Sequence, residues 1–250
     1  MSQLKKLKTP ERHIKVLWLA WSLLGLAGVA MTWFPIRFGM LVALMVALLL
    51  MWWSLTLALC WRHKVLRAVA LGVTASIVLF LLAPGRAVDT AGLSRAYVQS
   101  LQKYEGVEYV WGGETARGID CSGLIRRGLI DANWQQGWRT LNPALVRQSI
   151  NMWWHDCSAK ALKEEYRGWT QTLFTSNSLN TLDATRLQAG DIAVTSNGVH
   201  TLAYLGNNTW IEADPKAWKV LRLRTPTDNA WFNLPVHLLR WTQLDNKNHE

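Results

Sequence analysis

Three long uncharged runs open the chain: Val16 to Phe34, Phe38 to Trp61 and Ala68 to Pro84. The first holds 19 residues, enough at about 1.5 Å per residue to cross a hydrocarbon core of about 30 Å. Pro35 and Arg37 part the first run from the second, and Arg62-His63-Lys64 with Arg67 part the second from the third. Three membrane spans are the simplest reading. A cleaved signal peptide is the rival for the first run, but such segments have an apolar core of about 7–15 residues and end in small residues, whereas this run is followed by Pro35-Ile-Arg37. Beyond Pro84-Gly85-Arg86 the pattern becomes that of an amphipathic helix, with Leu93, Tyr97, Val98, Leu101 and Tyr104 on one face and Asp89 or Thr90 as its cap. Residues 134 to 169 scatter Trp134, Trp138, Trp153, Trp154 and Trp169 among polar positions and read as two or three short helices. The period then shortens. Asp191 to Thr195, His200 to Leu205, Thr209 to Glu212 and Lys219 to Leu223 are short apolar runs split by Gly190, Ser196-Asn197-Gly198 and Gly206-Asn207-Asn208, the mark of an antiparallel meander. Helices precede strands without a βαβ alternation, so the class is α+β with an antiparallel sheet, preceded by three transmembrane helices.

Charge sharpens this division. Residues 1–84 carry nine Lys/Arg against the single acid Glu11, which accounts for +8 of the net +10, while residues 85–250 carry 18 Lys/Arg against 16 acids. A domain at only +2 has no basic stripe to follow a phosphate backbone, and no nucleic-acid partner is expected. The basicity belongs to a cytoplasmic tail (Lys5, Lys6, Lys8, Arg12, Lys15) and a membrane anchor in contact with the bilayer through residues 16–84. By the positive-inside rule the N-terminus lies in the cytoplasm, and three crossings leave residues 85–250 outside. Trp18, Trp21, Trp33, Trp52, Trp53 and Trp61 fall towards the ends of the runs, as interfacial anchors or as packing between helices. The 166 residues that remain are enough for one core.

Cys60, Cys121 and Cys157 are too few and too scattered for a disulfide framework or a paired metal site. Cys121 stands apart. A glycine-rich loop, Trp111-Gly-Gly113, runs through Gly118 to Asp120-Cys121-Ser122, and Leu124, Ile125, Leu129 and Ile130 follow at helical spacing. Cys121 therefore opens a helix, where unpaired N–H groups and the positive dipole end favour an anion, so its thiol pKa is expected to fall. A buried structural cysteine is the plainer alternative. His200, at a strand start after a turn, is the partner best placed to act as base. Glu212 follows on the neighbouring strand across Gly206-Asn207-Asn208, where it would orient the imidazole and support the imidazolium, with Asp214 as its rival.

The runs Tyr109-x-Trp-Gly-Gly113, Gly118-Ile-Asp-Cys-Ser-Gly-Leu124, Leu187-Gln-Ala-Gly-Asp191 and His200-x-x-x-Tyr-Leu-Gly-Asn207 resemble, in order, the NlpC-type cell-wall peptidases, a bacterial branch of the papain-like cysteine peptidases. The resemblance implies Cys121 as nucleophile and His200 as base, with N–H groups near Cys121 and the Tyr109 hydroxyl at the oxyanion. It implies that Asp120 and Ser122 help bind a free amine of a peptidoglycan stem peptide. No cofactor or metal is required. Two positions depart from the family. The third catalytic residue, most often His, is Glu212, and 79 positions separate Cys121 from His200, which makes the Trp-rich segment at about 134–180 an insertion. The expected protein is a multi-pass cysteine endopeptidase of the bacterial inner membrane, cutting stem-peptide amides through an acyl-thioester on the periplasmic or extracellular side. The alternatives are a papain-like lipid acyltransferase or amidase, and a non-catalytic wall-binding protein.

Overall fold

The structure, a computed structural model, describes residues 9–245. Lys5, Lys6 and Lys8 of the basic tail, and His249, lie outside the described residues. The chain divides into two units: the first runs to Phe34 and resumes over Phe38–Ala83, and the second is Pro35–Arg37 with the chain from Pro84 onward.

The first unit is three helices, α1 (Thr9–Trp33), α2 (Gly39–Cys60) and α3 (Lys64–Leu82). Ile14–Trp33, Gly39–Cys60 and Lys64–Leu82 are long and apolar enough to cross a membrane. Among their described side chains only Val42 is buried, while Leu26, Met40, Val65 and Leu82 are more than 60 % exposed. Helices apolar on every face suit a lipid surrounding rather than water. Trp21 and Trp52 stack at 5.3 Å between ring centres, and Trp21 Nε1 donates to Thr56 Oγ1 at 2.8 Å, so these two tryptophans join α1 to α2.

The second unit starts with α4 (Thr90–Gln102), capped by Asp89, whose carboxylate accepts from Gly92 N at 2.9 Å. Leu93, Tyr97 and Leu101 lie on its buried face, as the periodicity predicts, together with Ala96, whereas Val98 is only half-buried and Tyr104 falls beyond the helix end. It packs on α5 (Cys121–Arg139), and Gly128 permits the approach: a Cβ there would lie 2.7 Å from Leu101 Cδ2. A two-stranded ribbon, β1 (Glu114–Thr115) with β2 (Gly118–Ile119), leads into α5. After it come α6 (Pro143–Trp154), α7 (Ala159–Lys163) and β3 (Thr170–Ser176), so the Trp-rich stretch from 134 takes in the end of α5, with Trp134 and Trp138, and then two helices and a strand.

The main sheet has six antiparallel strands in the order β3-β8-β4-β5-β6-β7. Its further members are β4 (Ile192–Thr195), β5 (Thr201–Gly206), β6 (Thr209–Asp214), β7 (Lys219–Arg224) and β8 (Val236–Trp241). The meander from β4 to β7 agrees with the expectation, but β8 inserts between β4 and β3, which extends the sheet by two strands. Arg240 on β8 grips Asp191, just before β4, through Nε at 2.7 Å and Nη2 at 2.8 Å. That bidentate pair, on a carboxylate that is 1 % exposed, explains the aspartate of the Leu187–Asp191 run. One core joins the two layers: Leu124, Ile125 and Leu129 of α5 meet Ile192, Val194, Ala203 and Ile211 of the sheet.

Candidate active site

Asp120 starts α5 by accepting from Gly123 N at 2.6 Å, and it holds two neighbours as well. Its Oδ2 accepts from Gly112 N at 2.8 Å, and its Oδ1 from Ser122 Oγ at 3.0 Å. The carboxylate thus ties the glycine-rich loop to the first turn of the helix and fixes the backbone on both sides of Cys121. Gly123 has to be glycine, because a Cβ there would stand 2.2 Å from Gly113 O. Burial raises the Asp120 pKa, against the N–H and O–H donors that hold the ionised form.

Cys121 is the first residue of α5 and lines a cavity of about 390 Å³ together with Tyr109, Trp111, Glu114, Asp120 and Ser122. Its Sγ lies 3.9 Å from Val199 O. Backbone N–H groups of Thr201, Ser122 and Cys121 itself favour the thiolate, yet burial pushes the thiol up to about 12, with the nearby Asp120 charge acting the same way. The expected fall in thiol pKa is therefore corrected. The donors at the helix start are real, but desolvation of a sulfur that is only 7 % exposed outweighs them. Burial likewise pushes the Cys157 thiol up to about 12. All three cysteines are free.

His200, immediately before β5, is 1 % exposed, and its Nε2 lies 2.6 Å from Glu212 Oε2 on β6. The register Ala203↔Ile211 puts Glu212 and Asp214 on the sheet face that carries His200, since side chains alternate along a strand. Burial raises the Glu212 pKa, and the bond from His200 opposes that shift. With Glu212 ionised, Nε2 carries the proton of this hydrogen bond, and in the neutral form of the ring the lone pair is on Nδ1. Asp214 has other duties. Its Oδ1 accepts from Lys216 N at 2.7 Å and Ala217 N at 3.3 Å, and its Oδ2 accepts from Asn229 Nδ2 at 2.9 Å. Asn229 Nδ2 also donates to Glu212 Oε1 at 2.9 Å, so one amide steadies both carboxylates. Trp231 stacks on the His200 ring at 4.1 Å with 17° between planes. Both residues were missed by the sequence reading, because a segment that crosses the sheet to reach β8 leaves no spacing that ties it to His200.

Tyr109 is buried, packs edge-on against Trp218 at 6.4 Å, and its hydroxyl pKa is raised by burial and then by Cys121 and Asp120. Glu114 forms part of the cavity wall, and the sequence reading did not single it out. It is 3 % exposed, lies 3.4 Å from Arg126 Nη2, and its Oε1 receives no hydrogen bond. Burial pushes it up to about 7 despite Arg126. Arg126 is itself held by Asp156 Oδ1 at 2.8 Å, Met152 O at 2.8 Å and His155 O at 2.9 Å. Among the described residues no group of three His, Cys, Asp or Glu side chains has the arrangement to hold a metal ion.

No curated protein matches the chain. Among solved structures it is similar to NlpC1 from Trichomonas vaginalis, with 17% identity over 64% of this chain and 48% of that one and a TM-score of 0.40. It is similar also to the peptidoglycan hydrolase RipB from Mycobacterium tuberculosis, with 18% identity over 60% of this chain and 65% of that one and a TM-score of 0.37. The P60 domain of an antigen from M. avium subspecies paratuberculosis is 18% identical over 61% of this chain and 97% of that one, with a TM-score of 0.39. The chain spans about half the length of NlpC1 and NlpC2, at 48% and 51%. Residues 106–236, which carry the Cys121 loop, His200 and Glu212, match the model of the NlpC/P60 family. With more than half its length inside that match, the chain belongs to the NlpC/P60 family.

Proposed function

We propose that the protein is a membrane-anchored cysteine hydrolase that cuts an amide bond in peptidoglycan stem peptides, with Cys121 as nucleophile, His200 as base and Glu212 as the residue that orients the imidazole. The observation that carries this reading is the 2.6 Å bond between buried His200 and Glu212, next in sequence to the Val199 carbonyl that Cys121 Sγ approaches. Membership in the NlpC/P60 family supports the wall peptide as substrate.

Because burial keeps the thiol neutral, its proton leaves as the sulfur attacks rather than beforehand. Nδ1 of His200 takes that proton while Sγ bonds to the carbonyl carbon, and the N–H groups of Cys121 and Ser122 with the Tyr109 hydroxyl steady the oxyanion. Collapse breaks the C–N bond, and the imidazolium returns its proton to the leaving amine. Water, deprotonated by His200, then attacks the thioester and frees a carboxylic acid and the thiol. Glu212 stabilises the imidazolium in both halves. Ser122 and the second lone pair of Asp120 Oδ2 face the substrate amine. Helices α1 to α3 hold this unit at the bacterial inner membrane on its outer side, given the basic loops that favour the cytoplasm.

The reading is tested by incubating the full chain with peptidoglycan fragments and, separately, with phospholipid, and weighing the products by mass spectrometry. Stem peptides cleaved by the native chain and left intact by Cys121→Ala support it, whereas products from phospholipid alone would replace it with a lipid acyltransferase or amidase. A reporter active only outside the cytoplasm should work when fused after Glu250 and not at Lys64; the reverse pattern refutes the three-span topology.

A further inference from the structure

Two short segments of the second unit, Pro35–Arg37 and residues 84–86, each stand within a few residues of an apolar helix end: Trp33 ends α1, Gly39 starts α2 and Leu82 ends α3. Pro35–Arg37 are laid along the glycine-rich loop. Arg37 N donates to Gly112 O at 2.8 Å, Glu114 N donates to Pro35 O at 3.0 Å, and Ile36 bridges Gly113 in antiparallel register. Gly85 and Arg86 are fastened to the turn between α5 and α6. Arg86 N donates to Asn142 Oδ1 at 3.1 Å, Asn142 Nδ2 donates to Arg86 O at 3.0 Å, and Arg86 Nη1 donates to Thr140 O at 3.1 Å. A Cβ at Gly85 would stand 2.6 Å from Ala144 Cβ, so the two backbones are in close contact.

Three residues of extended chain reach at most about 10 Å. With α1 to α3 as membrane spans, both segments emerge on the same side of the bilayer, and the chain holds the glycine-rich loop and the α5–α6 turn close to its surface. A gap of that size takes in the headgroup layer, about 5–8 Å deep, and no folded partner. The residues exposed beside the two ties are apolar. Trp111, next to Gly112, and Leu141, next to Asn142, are each more than half exposed. Leu141 has φ at 49°, the left-handed region in which glycine is the ordinary residue just past a helix end. An exposed leucine in that conformation gains little in water and suits a lipid contact. Trp134 is exposed as well and packs edge-on against Trp138 at 5.7 Å, on the opposite side of α5 from Ile125 and Leu129, which meet the sheet. Residues 139–144 include Arg139 and no acid, and Arg86 joins them there. Tryptophan and arginine suit the headgroup boundary, the one for its amphipathic ring and the other for anionic lipid.

We propose that the glycine-rich loop and the α5–α6 turn form a lipid-binding surface, with Trp111 and Leu141 set into the headgroup boundary of the bilayer. This rests on the part of the proposed function that makes α1 to α3 membrane spans, and not on the hydrolysis. Trp111 also lines the cavity that holds Cys121, so the mouth of that cavity opens beside the lipid.

The test uses the full chain in nanodiscs of phosphatidylethanolamine and phosphatidylglycerol, with photoreactive benzoylphenylalanine in place of Leu141, Trp111, Met40 or Thr185 in separate samples. All four positions are exposed, so the probe displaces no core packing. Met40 belongs to the apolar helix α2. Thr185 follows Leu182 and Ala184, which pack on the sheet face away from α5. After irradiation the mass of the chain should rise by one phospholipid with the probe at 141, at 111 and at 40, and stay unchanged with the probe at 185. Adducts at 40 but at neither 141 nor 111, or at only one of those two, overturn the surface and leave the spans standing. Adducts at 185 as abundant as those at 141, or cross-links from 141 to a second copy of the chain in place of lipid, overturn the surface as well. No lipid adduct at any position refutes the spans and the surface together.

Discussion

Replacing Glu212 by Gln removes one charge from the buried pair with His200 and changes little else in size. In the native chain Oε2 accepts a hydrogen bond from His200 Nε2 at 2.6 Å while Oε1 accepts one from Asn229 Nδ2 at 2.9 Å. A Gln side chain has one acceptor for these two donors, so it either leaves Asn229 facing an amide NH2 or turns that NH2 on His200 and reverses the tautomer. Both His200 and Glu212 are about 1 % exposed, so water cannot compensate. A hydrogen bond to a charged group contributes roughly 1.5–3 kcal/mol, and about 1.4 kcal/mol is one decade in rate. The imidazolium forms only on the way to the transition state, so the loss falls on kcat. Steady-state kinetics on one stem-peptide fragment should show kcat down by roughly ten- to a hundredfold or more, with KM changed by less than about threefold. Asp214→Asn should leave kcat within about threefold, since Asp214 serves the Lys216–Ala217 turn and Asn229. Glu212→His, which returns a neutral acceptor, should recover part of the loss. Because burial raises the Glu212 pKa, protonation of Glu212 should contribute to the acid limb of kcat above the ordinary carboxylate range, and that contribution should be missing in Glu212→Gln. An unaffected Glu212→Gln beside a crippled Asp214→Asn would refute this account of the site.

Two further predictions concern the walls of the cleft. Glu114 has its pKa raised in the folded state from 4.5 to about 7, so the native state binds its proton more tightly than the unfolded chain does. The stability this gives is fully present below pH 4.5 and is lost as pH rises through about 7, by at most about 3 kcal/mol. Thermal unfolding midpoints followed from pH 4 to 8 should therefore fall more steeply in the native chain than in Glu114→Gln, and parallel curves would contradict the burial argument. Gly123→Ala drives a Cβ to 2.2 Å from Gly113 O; it should cost roughly 1–3 kcal/mol and lower the unfolding midpoint, and an unchanged midpoint would show that the loop and helix are not tightly seated there.

The chemistry of the cleft was legible where it depends on local pattern. Asp120 followed by Cys121 and the apolar spacing to Ile130 marks a helix start, and the structure caps α5 with Asp120. The Gly206-Asn207-Asn208 turn fixed the pairing of β5 and β6, and that pairing brings Glu212 to His200. What depends on distant parts of the chain was not legible. β3, Thr170–Ser176, is a polar edge strand, and β8 joins it only through a register that no local signal encodes. Asn229 reaches Glu212 and Trp231 reaches His200 from a segment 17 and 31 positions further along the chain. The thiol pKa was misjudged for a related reason: the dipole at a helix start can be read from sequence, but the burial that outweighs it comes from Tyr109, Val199 and the sheet, which the sequence does not place. Arg37 read as a loop charge between two apolar runs, and nothing in its neighbours announces that its backbone joins the wall beside Gly112.

In the proposed reaction Cys121 carries the acyl group between amide cleavage and hydrolysis. Partition with hydroxylamine tests it most directly: the full chain is mixed with a stem-peptide fragment and increasing hydroxylamine, and the acid and hydroxamate products are counted by mass spectrometry. A thioester on Cys121 predicts hydroxamate growing at the expense of acid, an unchanged yield of released amine when formation of the thioester is rate-limiting, and no products from Cys121→Ala. Hydrolysis that yields acid alone at every hydroxylamine concentration, or that persists in Cys121→Ala, would contradict it.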